Sequence, residues 1–427
     1  MERIPSLQGA AGTRIGAIRC QVELVKTFTV YLLCVALTLS GCAASPGLRP
    51  THSVGLPPSS ASAQAPAPRP ISNHPRLDII VPVFDPGLSE GAAEDGVWPE
   101  LRRAEANRFA HKLKLALEET GAFGAVRVTP DTTATGDLYV MGTIQESSGE
   151  EVTIDLAVRD ISGADWFDQS FSHTVAPSFH TNIRNTGKDP YDPVFRNAAY
   201  YLVEQLNQRQ AASLEQLKML TDLRFGVSLT EEAFSEHLRM EAGQFALASY
   251  PSSDDPMLLR TKAIRVRDQL FVDDLQDNYR VFSDKMDASY LIWQEHSLAE
   301  REAEKQTKRK ALIQGVAGAL LVGLGIAGMA MAPQGGLGTV ATTAGLASGV
   351  AGAVMLGKSF QTSKEAKVHR DALNELGESI DVELAPQVVA FEQDTQKLTG
   401  TAKEQFGQWR AFLKKMYEQE RTPEVEL

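Results

Sequence analysis

Apolar positions follow two different rhythms along this chain, and the change between them divides it. Residues 77–84 (LDIIVPVF) form a short, mostly β-branched run that predicts a buried strand. Over 99–120 the spacing becomes helical, with Ala106, Phe109, Ala110, Leu113 and Leu117 on one face and Gly121 placed to end the helix. A strand at 125–128 follows, then three alternating segments. Leu138, Val140, Gly142 and Ile144 share one face, as do Val152, Ile154, Leu156 and Val158, and 167–175 completes the series. Ser147-Ser148-Gly149 and Ser162-Gly163 supply the turns. A helix over 193–208 carries Val194, Ala198, Tyr201, Leu202 and Gln205 as its stripe. This order predicts a small α/β sandwich spanning 76–210.

From residue 211 the pattern predicts helix to the end. Ile264, Phe271, Leu275, Tyr279, Phe282, Met286, Tyr290 and Trp293 recur at spacings of three, four or seven. A second helical region, 359–417, breaks at Pro386 and then carries Val388, Phe391, Leu398, Ala402, Phe406, Trp409, Leu413 and Met416. Such stripes are packing seams, so the two regions (211–310 and 358–427) are expected to form an antiparallel stalk. An unbroken arm of about fifty residues would reach about 80 Å. The fold class expected is α+β: a small α/β sandwich followed by a long all-α stalk carrying a glycine-rich hydrophobic helical hairpin.

That hairpin is residues 311–357. Two segments without formal charge, 311–331 and 337–357, flank Ala332-Pro333-Gln334-Gly335-Gly336, and each of about 21 residues matches a bilayer's hydrocarbon thickness. Small residues repeat every fourth position: Ala311, Gly315, Ala319, Gly323 and Ala327, then Ala341, Gly345, Gly349, Ala353 and Gly357. Stripes of this kind let helix backbones approach closely, which makes Gly315, Gly323, Gly345, Gly349 and Gly357 candidate helix-packing residues. In water each glycine weakens a helix by roughly 1 kcal/mol relative to alanine, so transmembrane helices are expected, with a self-packing hairpin in water as the alternative. The pattern resembles the glycine-zipper hairpins of outer-membrane lipoproteins such as SlyB. Arg301, Lys305, Lys308, Arg309 and Lys310 precede it and Lys358, Lys364, Lys367 and Arg370 follow it. Lys308, Arg309, Lys310 and Lys358 are therefore expected to flank the membrane and meet anionic headgroups.

The amino terminus adds a compartment. An apolar core at 27–40 follows Arg14, Arg19 and Lys26, the layout of a signal peptide. Leu39-Ser40-Gly41-Cys42 closes it and resembles the lipobox of bacterial lipoproteins. The resemblance implies that Cys42 is acylated and becomes the first mature residue after 1–41 is removed. Ala43, where the class uses aspartate for inner-membrane retention, points to the outer membrane, facing the periplasm. The long leader before Lys26 leaves open a translation start at Val22 or Val25. Residues 42–75, rich in Pro, Ala and Ser, read as a flexible tether.

Composition and motifs narrow the function. Without 1–41 the chain keeps 38 basic and 52 acidic residues, a net −14, which argues against nucleic acid as a partner. Cys42 would be the sole mature cysteine, so disulfides contribute nothing. The eight histidines are scattered without metal-site spacing, and no metal or cofactor is expected. Gly352 to Ser359 fits the letters of a phosphate-binding loop, but it continues an apolar helix in an exported chain that meets no ATP pool. Asp189 and Asp192 lie close together, with Asp192 expected as an N-cap before Pro193. No serine sits in a nucleophile elbow, and no catalytic residue is assigned.

The element order and the phrase Gly136-Asp137-Leu138-Tyr139-Val140-Met141-Gly142-Thr143-Ile144 resemble the periplasmic α/β module of TolB amino-terminal domains and curli-secretion-channel lipoproteins. The resemblance implies assembly or export work without catalytic residues; the membrane β-hairpins of the channel proteins have no counterpart here. The expected function is a non-enzymatic envelope scaffold, or an accessory to secretion or polysaccharide export. It would form a homo-oligomer and bind membrane lipid through Cys42 and the hairpin, with an unidentified envelope protein as partner. A pore of oligomerised hairpins is the alternative, and an extracytoplasmic hydrolase is a third reading.

Overall fold

The β-branched run at 77–84 supplies the strand that lies second in a five-stranded sheet. The computed structural model describes residues 74–89, 97–230, 232, 234–329, 366–391 and 394–419. Strand β1 (Ile79–Pro82) is followed by helix α1 (Pro99–Glu119), β2 (Val126–Thr129), β3 (Leu138–Ser147), β4 (Glu151–Asp160) and β5 (Asp165–Thr174). The sheet order is β2-β1-β3-β4-β5. β1 runs parallel to β2 and β3, whereas β3, β4 and β5 form an antiparallel meander. α1 is the crossover that parallel β1 and β2 require.

Alternation on β3 and β4 decides which face is covered. Leu138, Val140 and Ile144, with Val152, Ile154, Leu156 and Val158, are buried, while the residues between them are half-buried or exposed. α1 lies over β1, β2 and β3, and helix α2 (Asp192–Asn207) lies over β4 and β5, so the helices form one layer on one face. Tyr201 of α2 sits edge-on to Phe167 and Phe171, with ring centroids 4.9 and 5.7 Å away. Gly142 leaves room for the Phe84 ring, whose nearest atom would lie 2.3 Å from an added Cβ.

Helix α3 (Ala211–Leu229) and a hairpin of β6 (Leu238–Glu241) and β7 (Gln244–Leu247) lead to helix α4, Pro256–Met329. Its 74 residues would span about 110 Å at 1.5 Å each. The expected stripe is buried: Ile264, Phe271, Leu275, Tyr279, Phe282, Met286, Tyr290 and Trp293 join the core that includes the sheet. α4 thus crosses α1 and the β2 edge instead of standing away as a stalk arm. The reason is unmet demand on that side of the sandwich. An edge strand and the outer face of α1 both need a partner, and the aromatic stripe supplies one.

The carboxyl-terminal region is helix α5 (Lys367–Leu376), a hairpin of β8 (Gln387–Phe391) and β9 (Asp394–Leu398), and helix α6 (Ala402–Gln419). α6 runs antiparallel to the start of α4. Arg260 lies over Tyr417, Arg410 meets Asp268 at 3.0 Å, and Phe271 stacks on Trp409 at 5.1 Å. Ala402, Phe406, Trp409, Leu413 and Met416 are buried as expected. The β8–β9 and β6–β7 hairpins replace expected helix. Val388, placed on the helical stripe, stands 71% exposed on β8.

The transmembrane expectation is also corrected. Among the described residues no helix is long and apolar enough to cross a membrane. Glycine and alanine contribute little apolar surface, and residues 311–329 continue a helix that carries Arg301, Lys305, Lys308, Arg309 and Lys310 just before them. The second segment, 337–357, lies outside the described residues.

Candidate functional site

The most elaborate chemistry of the described residues lies where α4 crosses α1. On α1, Arg102, Glu105, Arg108 and Lys112 recur every three or four positions, a charged row beside the apolar stripe. α4 presents Asp287, Tyr290 and Gln294 to that row, and the segment before α2 adds Asp189 and Tyr191. Glu105, Arg108, Tyr191, Tyr290 and Gln294 are all 0% exposed. No substrate reaches groups so enclosed.

Two linked subclusters share Tyr290. In the first, Arg108 meets Asp189 at 2.8 Å and Asp287 at 2.7 Å, while its guanidinium lies 4.4 Å over the Tyr290 ring. Burial opposes the charge of Arg108, but Asp189, Tyr290 and Asp287 outweigh it and hold the group protonated. Burial likewise disfavours the Asp189 carboxylate. Arg108, Lys112 at 3.2 Å and the Tyr191 backbone N–H overcome that and keep it below the usual carboxylate range. Gln294 donates to the same carboxylate at 3.3 Å.

In the second, Glu105 accepts from Tyr290 Oη at 2.7 Å and Ser147 Oγ at 2.5 Å, with Arg102 3.3 Å away. Burial raises its pKa, and Arg102 with the two hydroxyl donors offsets this in part. Burial also pushes the Tyr290 and Tyr191 phenols up, so both remain donors at neutral pH. Gly149 completes the junction at the β3–β4 turn. Its φ is +81°, its N–H donates to Tyr191 Oη at 2.6 Å, and an added Cβ would lie 2.5 Å from Ser297 of α4.

This arrangement holds α4 in one register, because each charged member depends on a partner from a different element. A residue further along, Lys305, pairs with Glu150 of the same turn, and between Leu298 and Lys310 α4 carries no buried residue.

The sequence-predicted residues fall in three groups. Cys42, Gly345, Gly349, Gly357 and Lys358 lie outside the described residues, as does the Gly352–Ser359 motif. Gly315 and Gly323 are on the helical backbone of α4. Lys308 pairs with Glu304 at 2.6 Å, and Lys305 also lies 3.6 Å from Glu302, so acidic neighbours partly neutralise the basic run; Arg309 and Lys310 are exposed. Asp192 is not an N-cap. It is the first residue of α2 after Tyr191, and its carboxylate meets Lys112 at 3.2 Å. No group of three His, Cys, Asp or Glu among the described residues is placed to hold a metal ion.

Sequence reasoning passed over the ionic junction. Its one signal was the i, i+3 charge row on α1 beside a fully apolar face, which reads equally well as a solvated surface. Compared with known proteins, the chain matches no family model, no curated protein and no solved structure.

Proposed function

We propose that this protein is a non-enzymatic, lipid-anchored scaffold of the outer membrane, facing the periplasm and attached through acylated Cys42. In this reading the α/β domain is a recognition head on a flexible tether, and α4 is the arm by which subunits associate. It would serve envelope integrity, or act as an accessory to secretion or polysaccharide export. The 311–357 segment acts as a helix–helix contact between copies through its small-residue stripes, and membrane crossing forms no part of its role. A pore of oligomerised hairpins would require that crossing.

The observation that carries the reading is the continuity of α4. One helix runs from the aromatic seam of the head, through the ionic junction with α1, to Met329 within the glycine-rich segment. Association at its far end would therefore fix the orientation of the head, which is what a scaffold needs. The lipobox-like Leu39-Ser40-Gly41-Cys42 and the Pro/Ala/Ser tether supply the anchor.

The test is metabolic labelling with a palmitate precursor, comparing the native chain with Cys42→Ser. The native chain should take up label and fractionate with outer membrane, and the variant should do neither. Label uptake by the variant would contradict the anchor.

A further inference from the structure

We propose that the groove between α3 and the β6–β7 hairpin binds a small organic anion with a compact apolar body. The groove has a volume of about 360 Å³, within the range that holds a small ligand. Its walls come from Leu214 and Leu217 of α3 and Phe245 and Leu247 of β7, and its floor is Trp166 at the start of β5.

The charged lining is uneven. Arg209 and Arg239 face the groove, against a single carboxylate, Asp160. Asp160 is already committed: its Oδ1 accepts from Ser162 N, Ser162 Oγ and Ala164 N, and its Oδ2 accepts from Trp166 Nε1 at 3.0 Å. It has little acceptor capacity left for a ligand. Arg209 is differently placed. Its guanidinium lies 4.5 Å over the Trp166 ring, which fixes its plane, and no carboxylate among the described residues pairs with it. Stacked on an indole, a guanidinium keeps its N–H edge for an acceptor and suits the fork of a carboxylate or phosphate. Arg239 does have a partner, Glu241 at 2.9 Å, but that pair is exposed on the hairpin and exchanges readily with water.

Two further features favour negative charge. The first turn of α3 borders the groove through Ser213, holds no acidic residue, and its N-cap Gln210 makes no side-chain cap. The chain as a whole carries −12, whereas the groove lining holds two arginines against one carboxylate. The apolar walls then select an anion with a hydrophobic body over inorganic phosphate or chloride.

The test is titration calorimetry on the full chain with three probes of similar size: 4-phenylbutyrate, phenyl phosphate and neutral 4-phenylbutanol. One or both anions should bind with one-to-one stoichiometry, the pair distinguishing a carboxylate from a phosphate head, and the alcohol should bind at least about tenfold more weakly. Arg209→Gln should weaken the bound anion by about tenfold or more, and Arg239→Gln by a smaller factor, both with unchanged thermal unfolding. Arg239 is exposed, so its variant reports even if Arg209→Gln folds poorly. Equal binding of the alcohol, equal binding by both variants, or no binding of either anion at millimolar concentration overturns the proposal.

Discussion

Gln276 of α4 closes the outer edge of the sheet at Val128. Its Oε1 accepts from the Val128 N–H at 2.8 Å, and its Nε2 donates to the Val128 carbonyl at 2.9 Å. The side-chain amide does what a sixth strand would do for that one residue. One and two turns earlier on α4, Asp273 grips Arg127 through two hydrogen bonds, at 2.6 and 3.0 Å, and Gln269 donates to Asp78 at 3.2 Å. An unprotected edge is a template for wrong pairing, and here a helix covers it.

Gln276→Leu should therefore cost more than its small volume change implies. It leaves the Val128 N–H and C=O unsatisfied against α4, a penalty of about 1–3 kcal/mol. Chemical denaturation should show a lower midpoint with an unchanged slope, and amide exchange should rise at Val128 before it rises in β3 or β4. Equal exchange in the variant and native chains would show that the edge does not depend on Gln276.

The ionic junction makes a larger prediction. Arg108→Ala removes the strongest partner of Asp189, which is buried and keeps only Lys112 as a cation, and a partner of Asp287, which is half-exposed. Removing one member of a buried pair costs about 3–5 kcal/mol, because the remaining charge keeps its desolvation penalty. Asp287→Asn should cost far less, about 1 kcal/mol, since water can reach that carboxyl and Asp189 stays in place. Comparable losses in the two variants would show that the junction is a set of surface pairs.

Much of the α/β domain was legible because its signals are local and repeated. Strand alternation on β3 and β4, the turn glycines and the α1 face each point to one answer. The stripes on 256–298 and 402–416 were legible as seams, but what they pack against was not. A stripe records that a face is buried and omits its partner. Val388, Phe391 and Leu398 misled for a different reason. Three apolar residues at spacings of three and seven fit a helix, while Gln387–Phe391 and Asp394–Leu398 are short enough for hairpin pairing to outweigh that spacing. Arg108 and Glu105 were illegible, because a charge row becomes a junction only when another element covers it.

His111, on α1 beside the junction, gives the molecule a pH signature. Its pKa falls from 6.5 to about 4: burial is the main cause, Lys114 and Lys112 add to it, and Asp284 and Asp287 oppose them. A depressed histidine takes up its proton in the unfolded chain before the native one does. Its contribution is therefore complete above about pH 6.5 and is lost as pH falls toward 4, on the order of 2–3 kcal/mol across that window. His111→Gln should flatten the stability profile between pH 6.5 and 4 relative to the native chain. Parallel profiles would mean that His111 titrates normally.

Association through the glycine-rich segment is the central claim of the scaffold reading, and native mass spectrometry of the full chain in mild detergent tests it most directly. The native chain should appear as a homo-oligomer. Gly345→Leu with Gly349→Leu, which holds the helix backbones apart on the small-residue stripe, should shift it to smaller species, whereas Ala347→Leu, off the stripe, should not. A native chain that is monomeric, or an oligomer unchanged in the Gly345/Gly349 double variant, would contradict the account.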